Sequence, residues 1–310
     1  MHLDVTLLSG LPASVSCAFF NFFSTQISML QLKTSTNTPR NNPFTISLME
    51  LFFLLPWLLF SGASWASPAE GAGTTFTIKN KCPYTIWPGT LSGNGAGLLG
   101  GGGFELSPGS TASFSAPPGW SGRFWARTRC VFASSSLPPN GSCETGDCGG
   151  ALHCAVGGVP PVSLAEFTLG GGGNGAAKDF YDVSLVDGYN IGIGIRPSAA
   201  AGDNCRYAGC VGDLNAQCPA ELRVAADPGG ETVACRSACD AFGSPEYCCT
   251  GAHGSPATCG PTRYSQLFKA ACPAAYSYAY DDATSTFTCT AGATDYLITF
   301  CPATDDADKA

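Results

Sequence analysis

Cysteine is the residue type whose number and spacing most clearly indicate chemistry in this sequence. The chain has 17 cysteines, and sixteen of them lie between Cys82 and Cys301. An even set at short spacings indicates oxidised pairs, the form that cysteine takes in secreted proteins. Sixteen thiols can pair in roughly two million ways, so the sequence alone leaves the connectivity open. Cys17 lies outside this set.

Other reactive residue types point to no cofactor and no metal. After residue 66 the chain has only His153 and His253, and neither lies in a nucleophile elbow or beside a base. A zinc site could use His153 with Cys154, but a disulfide is the better use of that cysteine in a secreted chain. The glycines of Gly95–Gly100 match a dinucleotide-binding loop by letters, yet a strand and a Pro-Gly turn follow where that loop needs a helix.

The beginning of the chain has the pattern of a secretory leader. The apolar core Leu51–Phe60 is too short for a membrane span, and small residues precede a cleavage point after Ala66. We therefore predict a signal peptide over residues 49–66 and secretion. Residues 1–48 are predicted to be an upstream extension that is absent from the mature protein; an unusually long targeting leader is the alternative.

Charge and composition exclude several classes of partner. Residues 1–66 contain two basic and two acidic residues, so the mature chain keeps the net charge of −8. A negative chain repels phosphate backbones and anionic lipid, so we predict neither nucleic-acid nor membrane-surface binding. The tail 303–310 is acidic rather than apolar, which argues against a lipid anchor. The chain has 39 Gly and 22 Pro with only 12% charged residues, a composition that favours short strands joined by turns.

The elements that must position these residues are mostly strands. Alternating apolar positions predict strands at Thr75–Asn80, Tyr84–Trp87, Thr111–Ser115, Gly122–Arg129, Leu164–Leu169, Phe180–Val186, Phe287–Thr290 and Tyr296–Phe300. Arg123, Trp125, Arg127 and Arg129 alternate along one of them, as in a half-buried strand with a charged face. The Asp187-Gly188 pair between apolar runs predicts a hairpin turn.

The segment from Cys205 to Cys272 has a different composition, with nine cysteines in 68 residues. We predict a loop domain held by disulfides. Its one modest helix is predicted to place Cys235 and Cys239 one helical turn apart and to end at Gly243.

Eight motifs, together with the cysteine register, identify a family resemblance over residues 74–302. They are Thr85–Thr90, Gly122–Thr128, Cys143–Cys148, Leu164–Phe167, Asp179–Gly188, Glu246–Cys249, Cys259–Thr262 and Tyr264-Ser265. In this order they resemble the plant thaumatin-like proteins of pathogenesis-related family 5, the osmotin- and zeamatin-like proteins.

The resemblance implies a fold and a disulfide pairing. The fold is mainly β: a sandwich core over about 74–129, 159–207 and 273–302, a small disulfide loop lobe at 130–158 and a disulfide-rich lobe with short helices at 208–272. The implied pairs are Cys82–Cys301, Cys130–Cys143, Cys148–Cys154, Cys205–Cys289, Cys210–Cys272, Cys218–Cys235, Cys239–Cys248 and Cys249–Cys259. Asn140 heads the one glycosylation sequon, in the loop that ends at Cys143.

The resemblance also implies an acidic cleft between the sandwich and the disulfide-rich lobe. Its members are Arg123, Glu166, Asp182, Asp187 and Asp281, with Asp282 replacing Asp281 if the register shifts by one residue. Neighbouring carboxylates repel, so at least one pKa in such a cleft should rise. A protonated carboxyl beside an ionised one is the glycosidase arrangement, and the same groups can bind sugar hydroxyls without cleavage.

Each of these residues also has a purely structural interpretation. Asp187 would serve a hairpin turn, Glu166 would form a buried ion pair with Arg123, and Asp281 would cap a loop. Two segments, Gly170–Lys178 and Ile191–Pro197, depart from the usual family pattern and are predicted to lie near the cleft.

The function implied by the resemblance is plant defence. We predict a monomeric apoplastic antifungal protein that binds the β-1,3-glucan of fungal walls through the cleft. The first alternative is a weak endo-β-1,3-glucanase that uses Glu166 with an aspartate such as Asp182. The second is an inhibitor of microbial or insect hydrolases.

Overall fold

Two five-stranded sheets form the centre of the fold. The computed structural model describes residues 73–93, 95–132, 141–171, 177–226 and 230–308. The first sheet has the strand order β3-β1-β12-β7-β8 and the second has the order β11-β6-β5-β4-β2. The strands are β1 (Thr74–Asn80), β2 (Ile86–Ser92), β3 (Thr111–Ala116), β4 (Ser121–Thr128), β5 (Leu164–Thr168), β6 (Lys178–Ser184), β7 (Ile193–Pro197), β8 (Ala208–Gly209), β9 (Arg223–Ala225), β10 (Thr232–Cys235), β11 (Phe287–Thr290) and β12 (Tyr296–Phe300).

The main core lies between the inner faces of the two sheets. Alternate residues of β1 and β5 are buried there, and the rings of Phe76 and Phe167 meet with centroids 4.7 Å apart. Tyr296 of β12 packs on Phe167 at 5.2 Å. Because inward apolar side chains alternate with outward polar ones, both sheets bury one face each. The predicted mainly β sandwich is confirmed.

The predicted hairpin at Asp187-Gly188 is wrong. A turn does form, since the Gly188 amide donates to Leu185 O at 3.0 Å and Gly188 adopts φ +91°. However, β6 belongs to the second sheet and β7 to the first. Ile193 and Ile195 are fully buried in the core between the sheets, so this apolar run packs opposite β6 rather than pairing with it.

The outer face at the end of β4 is covered rather than solvated. Trp125 is fully buried, and its indole N–H donates to Gly146 O at 2.9 Å. Arg127 is fully buried as well and donates to Ala151 O at 2.6 Å and to Leu152 O at 2.8 Å. The predicted charged face is therefore interrupted at Trp125 and Arg127, because the small lobe packs over them, whereas Arg123 is half-buried and Arg129 is exposed.

Short helices concentrate between Cys210 and Cys272. The helices are Leu214–Gln217, Ala238–Phe242, Pro245–Cys248, Arg263–Ala271, Asp282–Ser285 and Thr304–Asp308, with 3-10 turns at Leu99–Gly102, Ala220–Leu222 and Gly251–His253.

The helix that was predicted to contain both Cys235 and Cys239 is wrong at its beginning. Cys235 ends strand β10, and the helix starts only at Ala238, because the Ser237 side chain accepts from Asp240 N and caps it there. It ends at Gly243, which adopts φ +64°, as predicted. The nine-residue helix Arg263–Ala271 was not predicted; Thr262 and Ser265 form its capping box.

The structure joins the sixteen cysteines from Cys82 onward in eight disulfides. They are Cys82–Cys301, Cys130–Cys143, Cys148–Cys154, Cys205–Cys289, Cys210–Cys272, Cys218–Cys235, Cys239–Cys248 and Cys249–Cys259. These are the pairs that the family resemblance implies. The Cys82–Cys301 bridge joins residues 219 apart in sequence and ties the two ends of the sandwich together.

The acidic tail is attached to the sandwich. Asp306 accepts from Lys81 Nζ at 2.6 Å and lies 4.0 Å from the Arg196 guanidinium. Within the described ranges, every helix falls short of the length and apolar character that a membrane span requires. The predicted signal peptide (49–66), the upstream extension (1–48) and Asn140 lie outside the described residues.

Candidate functional site

Three predicted site residues lie side by side across three adjacent strands of the second sheet. Arg123 of β4 is the direct partner of Glu166 on β5, and Glu166 is in turn the direct partner of Asp182 on β6. Side chains of directly opposed residues stand on the same face, with Cβ atoms about 4.5–5.5 Å apart. The register therefore places one cation and two carboxyl groups in a row.

Strand alternation places this row on the outer face. In β5, Ala165 and Phe167 are buried in the main core, so Glu166 between them points away from it. Tyr181 and Val183 flank Asp182 on β6 in the same way and are also buried. The apolar neighbours thus determine which face of the sheet carries the charges.

The row lies in an open groove that runs along the strands. One half, of about 460 Å³, is lined by Leu91, Ser121, Thr168 and Phe180. The other half, of about 390 Å³, is lined by Ser184, Val186, Asp187, Tyr276 and Asp282. Arg123, Glu166 and Asp182 line both halves. We call the whole depression the acidic groove.

The fifth predicted residue, Asp281, does not line the acidic groove. Its carboxylate accepts from Ser277 N at 3.0 Å, from Thr284 Oγ1 at 3.1 Å and from Lys269 Nζ at 2.9 Å. It therefore holds a loop together. Asp282 lines the groove instead, beside Tyr276, whose hydroxyl donates to Asp282 Oδ1 at 2.8 Å.

Four side chains of the acidic groove have no hydrogen-bond partner in the described part of the chain. Among the described residues, none hydrogen-bonds to the side chain of Arg123, Glu166, Asp182 or Asp187, although all four are half-buried. Asp147 shows the contrast, because its carboxylate accepts from the backbone amides of Cys143, Gly149 and Gly150. Half-buried polar groups normally have partners, so the groove presents polar atoms that a ligand can satisfy.

The electrostatics of the groove follow from burial and from the crowding of carboxyl groups. Burial, then the neighbouring Glu166 and Asp282 carboxylates, raises the pKa of Asp182 to about 8. Burial also raises the pKa of Glu166 and of Asp187, and the Arg123 guanidinium lowers both without cancelling the rise. Arg123 acts through space, because no carboxylate of the described residues lies within 4.0 Å of it. The suggested Glu166–Arg123 ion pair is therefore not a direct contact.

Asp281 has the opposite electrostatics. Burial by itself would raise its pKa, but hydrogen bonds from Lys269 and Ser277 outweigh burial and hold the pKa below its usual value. The two adjacent aspartates thus divide the roles, with Asp281 structural and Asp282 at the groove.

The groove can recognise hydroxyl groups. At neutral pH the Asp182 carboxyl is largely protonated and can donate a hydrogen bond, whereas ionised neighbours can only accept. Sugar hydroxyls both donate and accept, so they match such a mixture. No group of His, Cys, Asp and Glu that could hold a metal ion occurs in the part of the chain that the structure describes.

Sequence reasoning missed Phe180 and Tyr276 at the groove and named Asp282 only as the alternative to Asp281. Phe180 is 47% exposed and precedes Asp182 by two residues, so strand periodicity alone could have placed it on the same face. Tyr276 carries no comparable signal, because a loop brings it to the groove. The segment Ile191–Pro197 was expected near the cleft but lies mostly in the first sheet, away from the acidic groove.

Comparisons with known proteins agree on one family. Residues 80–302 match the Thaumatin family. "Pathogenesis-related thaumatin-like protein 3.5" of Cryptomeria japonica is 61% identical over 234 residues, which are 75% of this chain and 92% of that protein. "Pathogenesis-related protein 5" of Arabidopsis thaliana is 62% identical over 229 residues, 74% of this chain and 90% of that protein. A solved structure, the thaumatin-like xylanase inhibitor TLXI, is 22% identical with a TM-score of 0.39 and covers 73% of this chain and 99% of that chain.

Proposed function

Because this chain belongs to the thaumatin family, we propose that it is a secreted plant defence protein whose acidic groove binds the β-1,3-glucan of fungal cell walls without cleaving it. Its relatives support the defence role, since two proteins more than 60% identical to it carry the name pathogenesis-related. Eight disulfides support secretion, because such bonds form and persist in oxidising compartments.

The observation that carries glucan binding is that Arg123, Glu166, Asp182 and Asp187 have no hydrogen-bond partner among the described residues. Asp179, on the same strand as Asp182, accepts from Gly170 N at 2.9 Å and from Tyr296 Oη at 2.8 Å. Asp182 has no such partner among the described residues, and burial raises its pKa to about 8. A fold that needed Asp182 only for stability would satisfy it internally, as it satisfies Asp179.

The shape of the groove suits a polymer. From Leu164 to Thr168 the groove follows β5 for about 14 Å, at roughly 3.4 Å per residue, so several linked sugar rings can lie along it. The exposed ring of Phe180 gives one end of the groove an apolar surface for a sugar face. A neutral glucan also escapes the repulsion that a net charge of −8 exerts on anionic polymers.

A second candidate function is hydrolysis, and the Asp182–Glu166 pair is the observation that favours it. A carboxyl with a pKa of about 8 is protonated at neutral pH and can act as a general acid. Glu166 opposite it would then act as nucleophile or base. The product distinguishes the two functions, because cleavage releases reducing ends and binding does not.

The test is incubation of the mature protein with an insoluble β-1,3-glucan, with the bound protein and the released reducing ends both measured. We expect retention of the wild type, no release, and at least tenfold weaker retention of Glu166→Gln. Glu105→Gln is the matched control, because Glu105 is exposed and outside the groove. Cellulose, a β-1,4-glucan, tests whether the linkage matters.

Each outcome separates the candidates. Release of reducing ends that Glu166→Gln abolishes would establish the enzyme. Retention that Glu166→Gln and Glu105→Gln reduce equally would contradict binding in the groove. Neither retention nor release would overturn both glucan functions and leave the inhibition of foreign hydrolases as the remaining alternative.

A further inference from the structure

A second open groove lies at the beginning of β2 and the end of β4, which are the ends of these two strands farther from the acidic groove. It consists of two adjoining depressions of about 480 and 360 Å³ that share six lining residues. These are Tyr84, Asn190, Ile191, Asn215, Glu231 and Thr232. We call it the Tyr84 groove. It shares no lining residue with the acidic groove, and Thr128 at its edge follows Arg123 by five residues along β4, about 17 Å.

Two aromatic side chains give the Tyr84 groove an apolar surface. Tyr84 is 44% exposed, although its segment is fixed because Asn80 Nδ2 donates to Tyr84 O at 2.9 Å. Trp87 is half-buried and packs against the ring of Phe132 with centroids 6.2 Å apart. Its indole N–H has no hydrogen-bond partner among the described residues. The groove thus combines aromatic surface with a free donor.

The remaining polar lining is mostly uncharged and partly without partners. The hydroxyls of Thr85 and Thr232 make no hydrogen bond within the described ranges. Asn215 Nδ2 donates to Asn190 O at 2.9 Å, while Asn215 Oδ1 is buried without a partner among those same residues. The half-buried Thr85 and Thr232 therefore offer hydroxyl groups to a ligand, whereas Asn215 Oδ1 lies below the surface.

The charged groups of the Tyr84 groove are engaged within the protein. Arg129 lies 2.7 Å from Glu231 and 3.2 Å from Glu144. Asp213 accepts from Asn215 N at 3.0 Å and caps a helix. The lining residues Arg129, Glu231 and Asp213 sum to a charge of −1, so the groove disfavours an anionic ligand, and each of these side chains already has a partner within the protein.

We propose that the Tyr84 groove is a second carbohydrate site that binds a neutral oligosaccharide. An aromatic surface fits the apolar face of a pyranose ring, and the indole N–H of Trp87 and the hydroxyls of Thr85 and Thr232 fit its hydroxyls. The volume lies within the range of ligand sites, about 300–1,000 Å³. The inference does not depend on the acidic groove, because the two have no residue in common.

The experiment uses the mature chain with Glu166→Gln and Asp182→Asn, which removes two carboxylates of the acidic groove. The probes are a β-1,3-linked and a β-1,4-linked glucohexaose, titrated by calorimetry and by tryptophan fluorescence, since Trp87 lines the site. We expect binding of at least one hexaose to persist. Adding Tyr84→Ala or Thr232→Val should weaken this residual binding at least tenfold, whereas adding Phe180→Ala should leave it unchanged.

Thr232→Val keeps the β-branched shape of a strand residue and replaces the hydroxyl with a methyl group, so we expect the variant to fold. Thermal unfolding of every variant checks this directly. Absence of residual binding to both hexaoses would overturn the proposal. Residual binding that Tyr84→Ala and Thr232→Val leave unchanged would place the sugar elsewhere and overturn it too. Loss of the residual binding in the Phe180→Ala variant would assign that binding to the acidic groove and would also overturn the proposal.

Discussion

Glu166 and Asp182 oppose each other directly across the β5–β6 pair, so the fold holds two carboxyl groups on one face of one sheet. Like charges at directly opposed positions destabilise a sheet. The raised pKa of both groups shows how the conflict is relieved, because Asp182 keeps its proton at neutral pH. Neither side chain has a hydrogen-bond partner among the described residues, which supports the proposal that the groove binds a ligand.

Stability should depend on pH through Asp182. An unfolded aspartate has a pKa of about 3.9, and the folded value is about 8, so between these values the folded chain keeps a proton that the unfolded chain releases. Raising the pH through this window therefore lowers the free energy of unfolding. Asp182→Asn removes the effect, so its free energy of unfolding relative to wild type should rise by on the order of 5 kcal/mol between pH 4 and pH 8.5.

Denaturant unfolding with the disulfides intact measures this difference at several pH values. Asp203→Asn, at an exposed position outside the groove, is the control for the loss of one negative charge. A difference between Asp182→Asn and wild type that does not grow with pH would contradict a buried, protonated Asp182.

The adjacent aspartates should give reciprocal results. Asp281→Asn removes the partner of Lys269 and should lower the free energy of unfolding by about 2 kcal/mol at pH 7. Because the pKa of Asp281 is lowered, its contribution is present above the ordinary aspartate pKa and disappears as the pH falls through the folded-state value. Asp282→Asn should change stability little and weaken glucan retention. The reverse pattern would restore Asp281 as the groove residue.

Phe180 should matter for binding and not for folding. Its ring is 47% exposed, so Phe180→Ala loses little buried surface but removes the apolar end of the acidic groove. We expect about fivefold to tenfold weaker β-1,3-glucan retention, equivalent to about 1 kcal/mol. Phe242→Ala is the matched control, because Phe242 is 42% exposed and lines neither half of the acidic groove. Equal losses of glucan retention in Phe180→Ala and Phe242→Ala would contradict a specific role of Phe180 in the acidic groove.

Arg127 should be essential for the small lobe. It donates to Trp87 O, Ala151 O and Leu152 O, so Arg127→Met leaves buried carbonyls unpaired and should cost about 3 kcal/mol or more. Arg127→Lys should recover only part of the stability lost in Arg127→Met, because an ammonium group lacks the planar guanidinium fork that reaches several carbonyls. Arg123→Met, on the same strand face but without hydrogen bonds, should cost far less. Denaturant unfolding gives the stability, and limited proteolysis of residues 141–158 reports on the lobe.

Seven of the strands and the faces that their residues occupy could be predicted from sequence, whereas β2 was predicted at the wrong position and β7, β8, β9 and β10 were not predicted. Phe76, Phe167 and Tyr296 have neighbours that alternate with them, and strand geometry turns alternation into burial without further information. Pairing of β6 with β7 was predicted wrongly, because a turn motif shows where the chain reverses but not which sheet the next strand joins. Cys235 was placed on a helix by its spacing from Cys239, although Ser237 caps the helix after it.

By itself, the sequence of this protein determined the even cysteine set, the family register and the outward positions of Arg123, Glu166 and Asp182. These depend on local order and on strand periodicity, which the chain carries residue by residue. Only the tertiary structure decided that Asp282 rather than Asp281 lines the groove, that Arg127 is buried and that Tyr84 borders a second groove. Those facts depend on which distant segments meet. Lys269 pairs with Asp281, the small lobe covers Arg127, and β10 lines the second groove together with Tyr84.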